Sequence, residues 1–433
     1  MGEKSVTAEL DAVKQPERPK LIEIMGPGLI TGASDDDPSG IATYSQVGAQ
    51  FGYGLGWTLI VTYPLMAAIQ EISARIGRVT GRGIAGNLRK YYPPWLLNGI
   101  VGLVLLANII NIGADLGAMG AALKLLIGGP AFLYVVCFAA ISIGLEVYVR
   151  YARYVSVLKY LTLSLLAYVA TVFVIGTPWD KVGLSLLLPP LSLNKDYVLA
   201  IVAVLGTTIS PYLFFWQAEE EVEDEQEKPE QSPLRDAPEQ APNAFYRIRI
   251  DTLVGMALSN LVALFIVITT ATTLHAHGVT DIETSAQAAE ALRPIAGPFA
   301  FALFACGIIG TGLLALPVLA GSAAYALGEA LQWPVGLAKK AGRAKGFYLT
   351  IAVSTVVGAA MNFSPIDPIK ALFWSAVING IVAVPVMTIM MVMTHRRDVM
   401  GDFVIPPALR GLGWLATLAM GLTVVALAIT SFA

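Results

Sequence analysis

Charged side chains are scarce in this sequence. Asp, Glu, Lys and Arg make up 14% of its 433 residues, whereas a typical soluble domain has about 25%. Hydrophobic residues make up 56% of the chain, and its mean hydropathy is +0.67. This composition excludes an ordinary water-soluble protein. It predicts an all-α polytopic membrane protein in which residues 21–433 form one transmembrane domain.

Cysteine is also rare, and Cys137 and Cys306 each stand alone in an apolar run. We interpret both as small core residues, because a disulfide or a metal site needs a second ligand nearby. The chain has no phosphate-binding loop, nucleophile elbow, Cys-x-x-Cys pair or zinc-protease helix. We therefore expect no enzyme activity, no cofactor and no nucleic-acid partner.

The N-terminal 20 residues lack the apolar segment of a secretory signal. No cleaved signal peptide is therefore predicted, and residues 1–20 are expected to form a mobile cytoplasmic tail. The rest of the chain contains apolar segments of the length that crosses a bilayer, roughly 17–25 residues. The eleven predicted spans are 24–50, 53–76, 95–126, 130–149, 155–176, 196–217, 248–274, 294–326, 347–362, 369–394 and 409–432.

The distribution of Lys and Arg predicts the orientation of these spans. Most of the 28 basic residues fall in the N-terminal tail and in alternate connections. Because basic loops stay cytoplasmic, we expect the N-terminus inside, the C-terminus outside, and a multi-pass protein of the inner cell membrane. The basic residues on the other side are Lys124, Lys181, Lys195, Arg293 and Lys370.

A helix-breaking motif with carboxylates interrupts the first span at Asp37-Pro38-Ser39-Gly40, directly after Asp35 and Asp36. A carboxylate at membrane depth is costly, so such a residue is typical of a functional site. Proline and glycine beside it would unwind the helix and free backbone carbonyls for a cation.

A second break, Thr207-Thr208-Ile209-Ser210-Pro211-Tyr212, interrupts the sixth span. Two interrupted spans at corresponding places in two halves of the chain indicate the substrate site of a secondary transporter. We infer the repeat from this placement, because no clear internal identity accompanies it.

An acidic segment follows the sixth span, with seven carboxylates close together between Glu219 and Glu227. We interpret residues 218–245 as a Pro-rich cytoplasmic loop, either a solvated and partly disordered connector or an acidic funnel that concentrates cations.

The first two spans resemble the NRAMP family of divalent-metal transporters. Its first-span Asp-Pro-Gly-Asn motif matches residues 37–40, and its Gly-Ala-Gln-Phe-Gly-Tyr element matches residues 48–53. The second span is similar through Gln70 and residues 73–82. The resemblance implies a LeuT-like fold of two inverted five-helix repeats plus an extra helix.

The departures from the family pattern bear on the substrate. Family members bind metal through an Ala carbonyl and a Met thioether within Ala-x-x-Met-Pro-His, where this chain has Thr207, Ser210 and Tyr212 in place of Ala, Met and His. Gly40 replaces the ligand Asn. The third span has Asp115 but lacks the acidic Glu of the family's proton route.

These differences predict a hard, oxygen-only site of the kind that suits Mg²⁺. The metal site would consist of Asp37, Gly40, Thr207 and Ser210. Further residues are expected to line the site: Ser34, Asp36, Ser39, Tyr212 and Asn379. Asp115 is a candidate proton relay or a partner of a basic residue.

The sequence thus predicts a carrier that imports Mg²⁺, with Mn²⁺ as a second substrate, by alternating access and without proton coupling. The alternative is a proton-coupled Mn²⁺/Fe²⁺ importer that uses Asp115. A sodium-coupled organic solute carrier and an ion channel are more remote alternatives, and the sequence leaves the oligomeric state open.

Overall fold

The computed structural model describes residues 27–149, 163–364 and 366–432, and this part of the chain is built from helices. The predicted tail 1–20 lies outside the described residues. Fifteen helices of eight or more residues carry the description below: α1 Pro27–Asp35, α2 Pro38–Phe51, α3 Gly56–Thr80, α4 Ile84–Tyr91, α5 Pro94–Ile127, α6 Ala131–Tyr148, α7 Leu166–Val174, α8 Trp179–Leu187, α9 Lys195–Thr208, α10 Pro211–Glu227, α11 Ala241–Thr273, α12 Ala300–Leu331, α13 Lys345–Met361, α14 Pro368–His395 and α15 Pro407–Phe432.

Eight helical segments among the described residues are long and apolar enough to cross a membrane, or nine if the bent pair α7 and α8 is one span. Helix α13 is apolar but shorter, and α2 with α3 counts as one continuous segment. Part of the predicted fifth span, residues 155–162, lies outside the described residues. The number of eleven spans stays a prediction.

Both predicted interruptions are present. Helix α1 ends at Asp35 and α2 begins at Pro38, with Asp37 as the N-cap residue whose side chain accepts the Gly40 N–H at 2.7 Å. Helix α9 ends at Thr208 and α10 begins at Pro211. Proline lacks an N–H and fits the first turn of a helix, so each break falls where the sequence places its proline.

Close backbone contacts hold the broken spans against their neighbours. A Cβ on Gly32 of α1 would overlap the carbonyl of Gly255 on α11, and a Cβ on Gly206 of α9 would overlap the carbonyl of Ala376 on α14. Small residues permit such approach between membrane helices. The N-terminal end of α1 is also held, because the Gly28 N–H donates to the Asp251 carboxylate of α11 at 2.6 Å.

Two predictions about exposure are wrong. Helix α10 continues through the acidic run to Glu227, and the non-helical connection is confined to the segment before α11. Within this run Glu219 and Glu221 are 2% and 0% exposed, so the prediction of a solvated, disordered connector fails there. Cys137 and Cys306 are both exposed rather than buried in the core.

Candidate cation-binding site

The two helix breaks meet at the Asp37 carboxylate, which is 2% exposed. Its Oδ1 caps α2 through the Gly40 N–H, while Oδ2 accepts a hydrogen bond from the Asn111 amide at 3.0 Å. The Tyr212 hydroxyl of the second break lies 3.3 Å from the same Oδ2 and 3.2 Å from the Ser34 carbonyl. Tyr212 therefore links the second break to the first, and the Ser34 carbonyl, not its side chain, faces this centre.

Gly40 and Thr207 lie close together where the two breaks meet. A Cβ on Gly40 would stand 3.2 Å from the Thr207 hydroxyl oxygen and 3.2 Å from the Asp35 carbonyl oxygen. Glycine at this position therefore permits two oxygens of different helices to approach closely. The structure thus brings together Asp37, Gly40 and Thr207, three of the four predicted metal-site residues.

The fourth predicted residue, Ser210, has a hydroxyl that already serves the second break. It donates to the Gly206 carbonyl at 2.7 Å and lies 2.9 Å from the Thr207 carbonyl, at the end of α9. A hydroxyl that completes a broken helix in this way can offer a cation only its lone pairs. The role of Ser210 as a direct ligand stays a prediction.

Two predicted lining residues lie on the α14 side of the site. The Ser39 hydroxyl donates to the Leu372 carbonyl at 2.9 Å and lies 3.1 Å from the Ser375 hydroxyl, so it joins α2 to α14 and does not point toward Asp37. Asn379 is 2% exposed, and no described residue makes a hydrogen bond to its amide oxygen.

The other two carboxylates of the first break turn to α11. The Ser259 hydroxyl lies 2.6 Å from Asp35 Oδ2 and 3.3 Å from Asp36 Oδ1. Asp36 was predicted to line the site, and its contact here is with Ser259. Nothing in the sequence pairs Ser259 with these residues, because more than two hundred positions separate them.

Helix α5 contributes Asn111, which the sequence interpretation missed, and Asp115, which it included. Asn111 and Asp115 are one helical turn apart, and both are fully buried. Asp115 has Asp37 as an electrostatic neighbour and the Ser39 backbone N–H as a nearby donor, and no described side chain forms a hydrogen bond with either of its carboxylate oxygens. The expected pairing of Asp115 with a basic residue is not seen among the described residues. The signal for Asn111 was its polarity within an apolar span.

The atoms near Asp37 that could coordinate a cation are all oxygens: its own carboxylate, backbone carbonyls, hydroxyls and the Asn111 amide oxygen. This amide oxygen has no hydrogen bond from a described residue. No group of three or more His, Cys, Asp or Glu side chains in the described part of the chain could hold a metal ion. A single carboxylate with neutral oxygens favours an ion that keeps part of its water shell, as a transported Mg²⁺ or Mn²⁺ would.

A cavity of about 360 Å³ opens at one end of the helix bundle. It is lined by residues of α2, α9 and α14, among them Ala42, Gln46 and Asp196, and by Asp281 in the connection between α11 and α12. Since Ala42 follows Gly40 by two positions, this cavity lies next to the first break.

The sequence and the fold are similar to those of known transporters. The sequence profile described as natural resistance-associated macrophage protein-like matches residues 28–430. The divalent metal cation transporter MntH of Yersinia enterocolitica is 25% identical over 426 residues, which cover 95% of this chain and 96% of that protein.

Solved structures agree on the fold. A manganese transporter of Eremococcus coleocola matches with a TM-score of 0.71 at 17% identity and covers 94% of this chain and 86% of its own. The transporter MhsT, in complex with L-phenylalanine, matches with a TM-score of 0.59 at 13% identity, covering 92% and 98%. These likenesses confirm the predicted LeuT-like helical fold. Because the family profile spans almost the whole sequence, the chain belongs to the Nramp family.

Proposed function

We propose that this Nramp-type divalent metal transporter imports Mn²⁺ across the inner membrane and couples that movement to protons. The observation that carries the proposal is the meeting of two broken helices at one buried carboxylate, Asp37, surrounded by oxygen donors. Relatives named divalent metal cation transporter MntH, and a structural neighbour named a manganese transporter, support Mn²⁺ as the first ion to test. Mn²⁺ accepts carboxylate, carbonyl and water ligands.

The site residues suggest the order of events. A hydrated cation would enter through the cavity beside Ala42 and exchange part of its water for Asp37 and the carbonyls freed at the first break. Its arrival would displace the Asn111 and Tyr212 donors from Asp37 Oδ2. Asp115, buried near Asp37, is the candidate group for the proton.

A second candidate is Mg²⁺ import without proton coupling. The observation in its favour is the donor set, because Ser210 and Tyr212 stand where the family has a thioether and an imidazole. Soft ligands favour transition metals, whereas an all-oxygen site suits Mg²⁺. The membrane potential alone supplies about 2.3 kcal/mol per charge per 100 mV, hence about 4.6 kcal/mol for a divalent cation.

Uptake by purified protein in proteoliposomes separates the two candidates. Mn²⁺, Mg²⁺ and Cd²⁺ are offered in turn under an inside-negative potential, with a trapped dye reporting internal pH. Mn²⁺ uptake that acidifies the interior supports the first candidate. Mg²⁺ uptake without acidification, together with exclusion of Cd²⁺, supports the second. Asp37→Asn should strongly reduce uptake at low cation concentration in either case, and full uptake by that variant would refute the site.

The orientation belongs to the same proposal. The cytoplasmic N-terminus and extracytoplasmic C-terminus rest on the distribution of Lys and Arg. Labelling a cysteine placed in the connection between α10 and α11 from one side of intact cells would test it.

A further inference from the structure

Helices α10 and α12 form a tight seam at the end of the bundle opposite the cavity. The indole of Trp216 on α10 packs over Gly321 on α12, where a Cβ would stand 2.7 Å from the ring. The same indole meets the Tyr325 ring edge-to-face, with ring centroids 6.3 Å apart. The hydroxyl of Tyr325, on α12, donates to the carboxylate of Glu223, which follows Trp216 on α10. The two helices are therefore in contact along successive turns.

The seam ends in a pair of carboxylates. Glu329, in the last turn of α12, accepts the backbone N–H groups of Gly83 and Gly86 at 2.8 and 2.7 Å, at the start of α4. Glu219 of α10 reaches the same point. A Cβ on Gly83 would overlap Glu219 Oε1 and lie 2.7 Å from Glu329 Oε2. Three helices thus converge on two acidic side chains whose carboxylate oxygens both lie against Gly83.

Arg82 is close enough to act electrostatically on Glu329, but no basic residue of the described chain forms an ion pair with either group. Among the described residues, neither Glu219 nor Glu329 takes part in an ion pair, and Glu219 Oε1 has no N–H or hydroxyl donor. The basic residues that face the pair are Arg82, which is exposed, and Arg89, which donates to the Ala330 carbonyl.

The remaining charged neighbours are negative, because Glu220 and Glu223 lie on the same helix as Glu219. Glu219 is buried and Glu329 is half-buried, and two such carboxylates in contact cannot both be ionised without strong repulsion. Their contact therefore requires that one of them hold a proton.

We propose that Glu219 and Glu329 share one proton and act as a latch that keeps α10, α12 and α4 together at this end of the bundle. While the proton is present, the contact closes the path from the site toward this end. When the proton leaves, the carboxylates repel, α10 separates from α12, and the path opens. The contact is therefore lost as pH rises. This inference concerns gating and does not depend on which cation is carried or on proton coupling at Asp37.

Hydrogen exchange tests the latch without any transport measurement. Exchange of the amides of α4 and α10 is followed by mass spectrometry on the purified, metal-free protein at about pH 6 and about pH 8, with rates corrected for the intrinsic pH dependence. The wild type should exchange at least about tenfold faster in α4 at the higher pH, which corresponds to about 1.4 kcal/mol.

Glu329→Gln should remove this difference. The glutamine oxygen can still accept an N–H from α4, and its amide can donate to an ionised Glu219, so the variant should stay protected at both pH values. Glu219→Gln repeats the test if that variant does not fold. Glu239→Gln, at an exposed position of the connection between α10 and α11, should keep the wild-type pH response. Equal protection of the wild type at both pH values, or a full pH response in both glutamine variants, would overturn the proposal.

Discussion

Replacing Asp37 by Asn removes one negative charge from the site and changes little else. The Asn oxygen can still cap α2 by accepting the Gly40 N–H, now 2.7 Å from Oδ1. What is lost is the attraction between a carboxylate and a divalent cation. At a separation of about 4 Å and an effective dielectric constant of about 20, that attraction is about 8 kcal/mol. Desolvation of the ion offsets most of it.

If about 2 kcal/mol of this attraction survives, the variant binds about thirtyfold more weakly. The effect can be read as ligand-induced stabilisation. At a cation concentration of about 100 times the wild-type Kd, the wild type gains about 2.7 kcal/mol, and a variant that binds thirtyfold more weakly gains about 0.9 kcal/mol. Thermal unfolding of the detergent-solubilised protein, with and without Mn²⁺ or Mg²⁺, measures both values.

Without cation, the Asp37→Asn substitution should change the stability of the protein little. Asn at position 37 places an amide N–H₂ near the Asn111 donor, which costs about 1 kcal/mol, but it also removes a buried charge whose neighbour is Asp115. The stability without cation should therefore change by no more than about 1 kcal/mol.

Asp367→Asn is the matched control, because Asp367 caps α14 through the Ile369 N–H at 2.9 Å and is distant from Asp37 in the sequence. It should keep the full stabilisation by cation. Binding of the cation by Asp37→Asn within about threefold of the wild type would refute the role of the Asp37 charge.

Three further substitutions test the supporting structure. Gly32→Ala forces a methyl group onto the Gly255 carbonyl, so we expect a loss of about 1–3 kcal/mol in unfolding assays; an unchanged melting temperature would contradict the close packing of α1 on α11. The Glu225 carboxylate lies 3.2 Å from the buried guanidinium of Arg78. Arg78→Ala leaves this carboxylate without its partner and should lower the free energy of unfolding by about 3–5 kcal/mol. A loss below about 1 kcal/mol would show that water replaces the pair. Asn111→Ala removes a donor from the site carboxylate and should destabilise the metal-free protein by about 1–3 kcal/mol; saturating cation should restore most of that loss, and an equal deficit with and without cation would contradict its place in the site.

The sequence by itself located the two breaks and their chemistry. Pro38 and Pro211 cannot continue a helix hydrogen-bond ladder, and Asp37 is too costly in an apolar span to be incidental. These are local properties, so they could be recognised without knowing which helices are neighbours. The resemblance in residues 37–53 then implied the fold that the comparisons confirm.

The tertiary structure decided which groups surround those breaks. Asn111 and Tyr212 reach Asp37 from 74 and 175 positions away, and Ser39, close to Asp37 in sequence, turns to α14 instead. The acidic run after the sixth span looked solvated because its composition is charged. One of its buried members, Glu221, pairs with Arg247 of α11, which lies 26 positions further along the chain. Sequence patterns report the cost of placing a group in a membrane, but the partners that offset this cost come from helix packing between distant segments.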